Sequence, residues 1–210
     1  MSRAAQTYLV PVQEMTPGMV AEVRNSVIDQ VVRIAAKELG MAEKDLVVRD
    51  VLPVNDLGFD FSAASGGTGE CNWEFAATVT TVGYATVTGA STMSNNRYVA
   101  IFGVRDLRMG IGATYGCTDQ LGFILPPSPT SLIKFEVGGA VKAIWDTTGL
   151  SAYREMAGFT TAPILIPQNA AYNIYFYNRP YGTVGTGIAI YSYLQLIGVT
   201  VEPRGQLVSP

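Results

Sequence analysis

The chain has 210 residues, of which 48% are hydrophobic and 15% charged, with a formal net charge of −3 and no histidine. A chain of this length buries a sizeable core without metal or disulfide, and its apolar content excludes intrinsic disorder and a coiled coil. The slight acidic surplus argues against a general nucleic-acid binder, which needs excess Lys and Arg to displace phosphate counterions, and the missing histidine removes the Ser-His and Cys-His nucleophile arrangements and nearly every zinc site.

Charge is unevenly spread. Residues 1–60 carry six Lys/Arg and nine Asp/Glu, whereas residues 61–210 carry eight and eight. This shift divides the chain into an arm, helix and connector over 1–58 and a β-domain with a short tail over 59–210. So few charges over the larger part make a sticky surface unless neighbours cover it. The opening residues, through Glu14, lack the hydrophobic segment of a signal peptide, and no apolar run reaches the roughly 20 residues of a membrane span. The chain is therefore expected to be made in the cytosol and to contact no membrane. Its two cysteines, Cys71 and Cys117, read as reduced structural thiols.

The first predicted element is a helix. Thr16 suits the N-cap, Pro17 the first helical position and Gly40 a left-handed C-cap. Between them Val20, Val23, Val27, Val31 and Ile34 recur at three- and four-residue steps, widened by Ile28, Val32, Ala35 and Leu39. Such an arc fits either a helix sunk into its own core or one shared between its own domain and another molecule. The segment from Asp45 to Pro53 reads as a connector or short strand.

Beyond Phe59 the period becomes two. Trp73, Phe75, Ala77 and Val79 alternate with polar or small residues, Ile133, Phe135 and Val137 oppose Lys134 and Glu136, and Tyr172, Ile174 and Phe176 oppose Asn173, Tyr175 and Tyr177. Tyr98 to Val104 and Ile188 to Val201 are apolar on both faces, as strands covered on both sides are, and Gly198 marks a candidate bulge. Strands are expected near 73–80, 84–89, 97–104, 121–125, 131–137, 140–146, 162–166, 171–178 and 188–201. The predicted fold class is mainly β: an antiparallel sandwich, jelly-roll-like, with an N-terminal helix and extended arm.

Chemical motifs are weak. Gly110 to Gly116 imitates a dinucleotide fingerprint, but its third glycine is misplaced and no βαβ pattern surrounds it, so it reads as a loop. Gly182 to Gly187 lacks the Lys-Ser/Thr of a phosphate loop and reads as a hairpin tip. Paired carboxylates could hydrolyse glycosides, yet nothing in the spacing of Glu70, Glu74, Asp106, Asp119, Glu136, Asp146, Glu155 and Glu202 selects a pair. Asn55, Asp56 and Asp60 lack the calcium-loop pattern and suit a capping or turn role. No catalytic, cofactor or metal residue is assigned, and no enzymatic activity is expected. Tyrosine is abundant, with Tyr172, Tyr175, Tyr177, Tyr181, Tyr191 and Tyr193 crowded near the C-terminus on the solvent side of predicted strands. They suit cross-strand pairing, a subunit interface or ligand stacking. The candidate interface residues are Val20, Val23, Val27, Val31 and Ile34 on the helix and Tyr175, Tyr177, Tyr191 and Tyr193 on the strands.

Three stretches carry a resemblance: Pro163-Ile164-Leu165-Ile166-Pro167, then Tyr172-Asn173-Ile174-Tyr175-Phe176-Tyr177, then Leu194 through Gly205. With Asp45 to Pro53 and Asp56-Leu57-Gly58, they resemble accessory capsid proteins of tailed bacteriophages. The resemblance implies a virion component, a cement or decoration protein that binds the major capsid protein as an oligomer; the under-charged β-region and the local three-fold positions of icosahedral shells make a homotrimer the expected form. The alternatives are a carbohydrate- or receptor-binding β-domain of a virion, which needs an exposed aromatic cleft, and a glycoside hydrolase, which needs two convergent acids.

Overall fold

The computed structural model describes residues 9–52, 56–57, 74–77, 83–86, 91–112, 130–147, 150, 157–178 and 189–206. Within that set, the backbone path alone is described for 74–77, 83–86, 106–112, 130–131, 176–178, 189–195 and 206. Helix α1 runs Pro17–Leu39. The Thr16 side chain accepts a hydrogen bond from the Met19 N–H, Pro17 opens the first turn, and Gly40 closes the last with φ 64°, a conformation that favours glycine. Both predicted caps are therefore in place. No helix among the described residues is long and apolar enough to cross a membrane.

The rest is mainly β, in two antiparallel sheets. The strands are β1 (Val10–Pro11), β2 (Leu46–Asp50), β3 (Glu74–Ala77), β4 (Gly83–Thr86), β5 (Ser91–Thr92), β6 (Tyr98–Gly112), β7 (Thr130–Val137), β8 (Ala140–Asp146), β9 (Ala157–Ile166), β10 (Ala171–Asn178) and β11 (Ala189–Pro203). The first sheet has the order β1-β9-β6-β11-β2, with β3 on the same edge of β11 as β2; the second has the order β4-β10-β7-β8, with β5 on β10. The pairings are concentric. A tight β7–β8 hairpin turns at Gly138 and Gly139, both at positive φ; β6 pairs β9 outside it, β4 pairs β10 outside that, and β3 pairs β11 outermost.

Most expected strands coincide with observed ones. The stretch expected as a strand at 121–125 lies outside the described residues, as do Trp73 and the expected hairpin tip at 182–187. Asp45 to Pro53 contains a strand, β2, paired to β11 from Leu46↔Pro203 to Asp50↔Val199. Gly110, Ile111 and Gly112 belong to β6, paired with Tyr191, Ile190 and Ala189, and not to a loop. Ladder pairing with β11 supplies their backbone hydrogen bonds, which overrides the local preference of glycine for turns.

Around Tyr98 to Val104 of β6 and Leu196 to Val201 of β11, the first sheet is covered on both faces. Tyr98, Ala100, Phe102, Val199 and Val201 form one buried cluster with Val27, Val31, Ala35 and Ala36 of α1. Val99, Ile101, Val104, Ile164, Ile166 and Leu196 form another with Ile133, Phe135, Val137, Ala143, Trp145, Tyr172 and Ile174 of the second sheet. Even-numbered Phe102 and Val104 face opposite ways because the β6–β11 register shifts there, leaving Phe102 without a partner between Ile101↔Gly198 and Gly103↔Ile197. A bulge is the device that re-aims side chains in this manner. A Cβ on Gly198 would run into the carbonyl oxygen of Ala100, so glycine is what allows the two strands to approach at the bulge. The composition shift near residue 60 divides the sequence, while each core cluster draws residues from both sides of it.

Candidate functional site

The helical candidates fall mostly inside the chain. Val27 and Val31 are each 1% exposed and pack with the first sheet, so they have no surface left for another molecule. Val20 and Val23 lie partly buried against the same cluster. Ile34, half-buried, instead borders an open groove on the outer helix face with Glu22, Asn25, Ser26, Asp29, Gln30 and Arg33. For Val27 and Val31 the wide apolar arc is thus core packing, because the long β6 and β11 strands offer a face broad enough to cover it.

Of the tyrosines, Tyr172 is buried in the core between the sheets, not on the solvent side; burial raises its hydroxyl pKa above the ordinary value. Tyr175 is on the outer face of the second sheet. Its hydroxyl donates to Glu136 Oε2 at 3.0 Å, and Lys134 Nζ lies 4.1 Å from its ring centroid. Lys134 also pairs with Glu136 at 3.0 Å. Lys134, and after it the Tyr175 hydroxyl, hold the Glu136 carboxyl below its usual range, and Glu136 in turn raises the Tyr175 hydroxyl. One ring face therefore already carries a cation. Backbone pairing places Tyr177 opposite Leu132 and Tyr84, and Tyr191 and Tyr193 opposite β3 and β6; their side chains lie outside the described residues.

Motif reading missed the densest polar cluster among the described residues. Arg49 of β2 donates Nη1 and Nη2 to Asp56 at 2.7 and 2.6 Å and Nε to Glu202 of β11 at 3.0 Å. Arg97 donates Nε to Glu202 at 3.2 Å and approaches Asp56 at 3.4 Å. Asp56 also accepts from the Leu52 N–H and the Thr200 hydroxyl, while its own N–H bonds to the Leu52 carbonyl. Asp56 thus takes the expected turn role by bonding back to Leu52 through both its N–H and its carboxylate. Asn55 and Asp60 lie outside the described residues. Two guanidinium groups against two buried carboxylates compensate the charge that burial would otherwise penalise. The hydrogen bond to Asp56, more than any other contact, keeps the Arg49 pKa above its usual value. Spacing could not reveal this arrangement, since Arg49 and Glu202 stand 153 residues apart.

What the cluster does chemically follows from its geometry. Each carboxylate is engaged by both arginines, so neither is set up as a proton donor toward a substrate, as an acid of glycoside hydrolysis must be. The arrangement is a clamp holding the segment after β2 to the end of β11. Of the other acids, Glu136 joins Lys134 and Tyr175, Asp146 lies exposed on β8, Glu74 and Asp106 are described by backbone alone, and Glu70, Asp119 and Glu155 lie outside the described residues. No group of three acids, cysteines or histidines among the described residues is placed to hold a metal.

The second sheet also exposes apolar side chains. Val141 and Ile144 of β8 are 40% and 45% exposed, and Ile144 stands beside Lys134 across the ladder, with Tyr175 on the other side of Lys134. Compared with protein-family models, curated proteins and solved structures, the chain matches none.

Proposed function

We propose that the chain is a structural virion protein, a cement or decoration protein that binds and stabilises a capsid through protein–protein contacts. Its partners are then a major capsid protein and further copies of itself, with a trimer as the expected oligomer. Its place is the capsid, reached from the host cytoplasm during assembly. The observation that carries this reading is the union of a β-region holding sixteen charged residues in 150 with apolar side chains standing outward on its second sheet. Such a surface is suited to being covered. The polar groups that could have done chemistry, Arg49, Arg97, Asp56 and Glu202, serve each other inside the fold. The lysine over Tyr175 also makes this ring a poor stacking platform for sugar.

The same proposal includes the finer fold. Concentric pairing of β7·β8, β6·β9, β4·β10 and β3·β11, shared between two sheets around one core, is what results when one long antiparallel hairpin rolls up. It supports a jelly-roll sandwich, an architecture that also hosts unrelated functions.

Three measurements test the functional reading. Mass spectrometry of purified particles should find the protein at stoichiometric copy number, and light scattering should find an oligomer in solution. Added to particles lacking it, the protein should raise their heat resistance to a plateau set by occupancy, with weak dependence on salt. Absence from particles, a stable monomer at micromolar concentration, release by moderate salt or a hydrolysed glycan product would each overturn it.

A further inference from the structure

Strand β8 ends the second sheet, and among the described residues its only ladder partner is β7. A seven-residue edge with exposed apolar side chains is a template for pairing with another strand. Along it Lys142, Ile144 and Asp146 are exposed while Ala143 and Trp145 are buried. We infer that β8 is a self-pairing edge: two copies of this chain join their second sheets antiparallel, β8 against β8, about a two-fold axis through Ile144.

The register follows from parity and charge. A two-fold axis normal to the sheet keeps outward residues outward, so only registers pairing residues of like parity are open. Centring on Ile144 sets Ile144 opposite its own copy and Lys142 opposite Asp146 twice over, an apolar pair flanked by two opposite-charge pairs. Centring one residue earlier sets Lys142 against Ile144; one residue later sets Ile144 against Asp146. Both put a charge on the apolar side chain. Ala143 and Trp145 fall opposite one another on the core side, extending the buried layer across the junction. Lys142 is itself the extra residue of a β8 bulge, between Val141↔Glu136 and Ala143↔Phe135, and stays on the exposed face with Ile144 and Asp146, while Ala143 to Asp146 pair regularly with Phe135 to Leu132. Asp146 can accept from Lys142 along with other donors because a carboxylate has several acceptor positions. The contact does not depend on the virion reading. A chain that makes it closes into pairs, and trimers that make it become coupled trimers.

The experiment is sedimentation of the full chain and its β8 variants, with circular dichroism confirming that each is folded. Ile144→Arg sets like charges face to face at the axis and should halve the mass of the assembly. Lys142→Asp and Asp146→Lys should each weaken the association about tenfold or more, and the double swap K142D/D146K should restore it. In a chain with Cys71 and Cys117 replaced by serine, Ile144→Cys should cross-link two copies on oxidation, whereas Lys142→Cys, about 13 Å from its own copy along the strand, should not. A mass unchanged by Ile144→Arg, no restoration in the double swap, or cross-linking through position 142 in place of 144 would overturn the assignment, whatever becomes of the capsid proposal.

Discussion

Tyr98 shows how one buried hydroxyl sets a pH limit. It has no solvent exposure and donates to Glu38 Oε2 at 2.8 Å, and burial, followed by that hydrogen bond, pushes its pKa up to about 12. In the unfolded chain a tyrosine ionises near pH 10. The folded state therefore holds a proton that the unfolded state loses, and this contribution is whole below pH 10 and declines as pH rises toward 12. Denaturant midpoints from pH 8 to 11.5 should show the difference between the native chain and Tyr98→Phe shrinking as pH rises, by about 2–3 kcal/mol at its limit. A difference independent of pH would show that Tyr98 ionises alike in both states. A second test at this scale concerns the clamp. Asp56→Ala leaves Arg49 short of its bidentate acceptor and the Leu52 N–H and Thr200 hydroxyl without theirs. Breaking such a pair costs about 3 kcal/mol, measurable by urea unfolding, and high salt should recover little of it because buried charges are weakly screened.

At the scale of elements, the helix and the long strands were legible because their signals are local. Thr16, Pro17 and Gly40 bound α1 by backbone chemistry alone, and the apolar character of both faces from Tyr98 to Val104 announced a strand covered on both sides. The covering partners were not legible, since whether Val27 meets a neighbouring molecule or its own sheet depends on what β6 and β11 present from residues far along the chain. The Arg49, Asp56 and Glu202 clamp was invisible for the same reason: its members lie on segments that meet only after folding. Gly198 was legible as a bulge but not as a close approach. Gly198→Ala should cost at least about 1–3 kcal/mol by overpacking against Ala100, read as a fall in thermal midpoint. Val31→Asp buries a carboxylate against Tyr98, Ala100 and Val199 without a cation and should prevent stable folding or cost several kcal/mol, checked by circular dichroism and denaturant titration. Near-native stability in that variant would show the α1 face to be open to solvent.

For the whole molecule, concentric pairing dictates how folding proceeds. The β7–β8 hairpin closes over two residues, whereas the outermost pair brings Ala77 to Ile190. Each outer pair must close a longer loop before its contacts offset the lost entropy, so refolding should take milliseconds to seconds and not microseconds. Stopped-flow refolding with fluorescence detection checks this, and complete recovery within microseconds would contradict the long-range pairing. The first sheet, with α1 on one side and the second sheet on the other, also governs how freely the sequence can drift. In β7 and β10 every second position is exempt from the core and open to polar replacement, so neutral change accumulates with a period of two. In β6 from Tyr98 to Val104 and in β11 from Leu196 to Val201, neighbouring positions answer to one of two interiors, leaving no exempt parity. Homologous chains would consequently diverge first along the second sheet's outer face, keeping their common ancestry visible longest in these doubly covered stretches of β6 and β11.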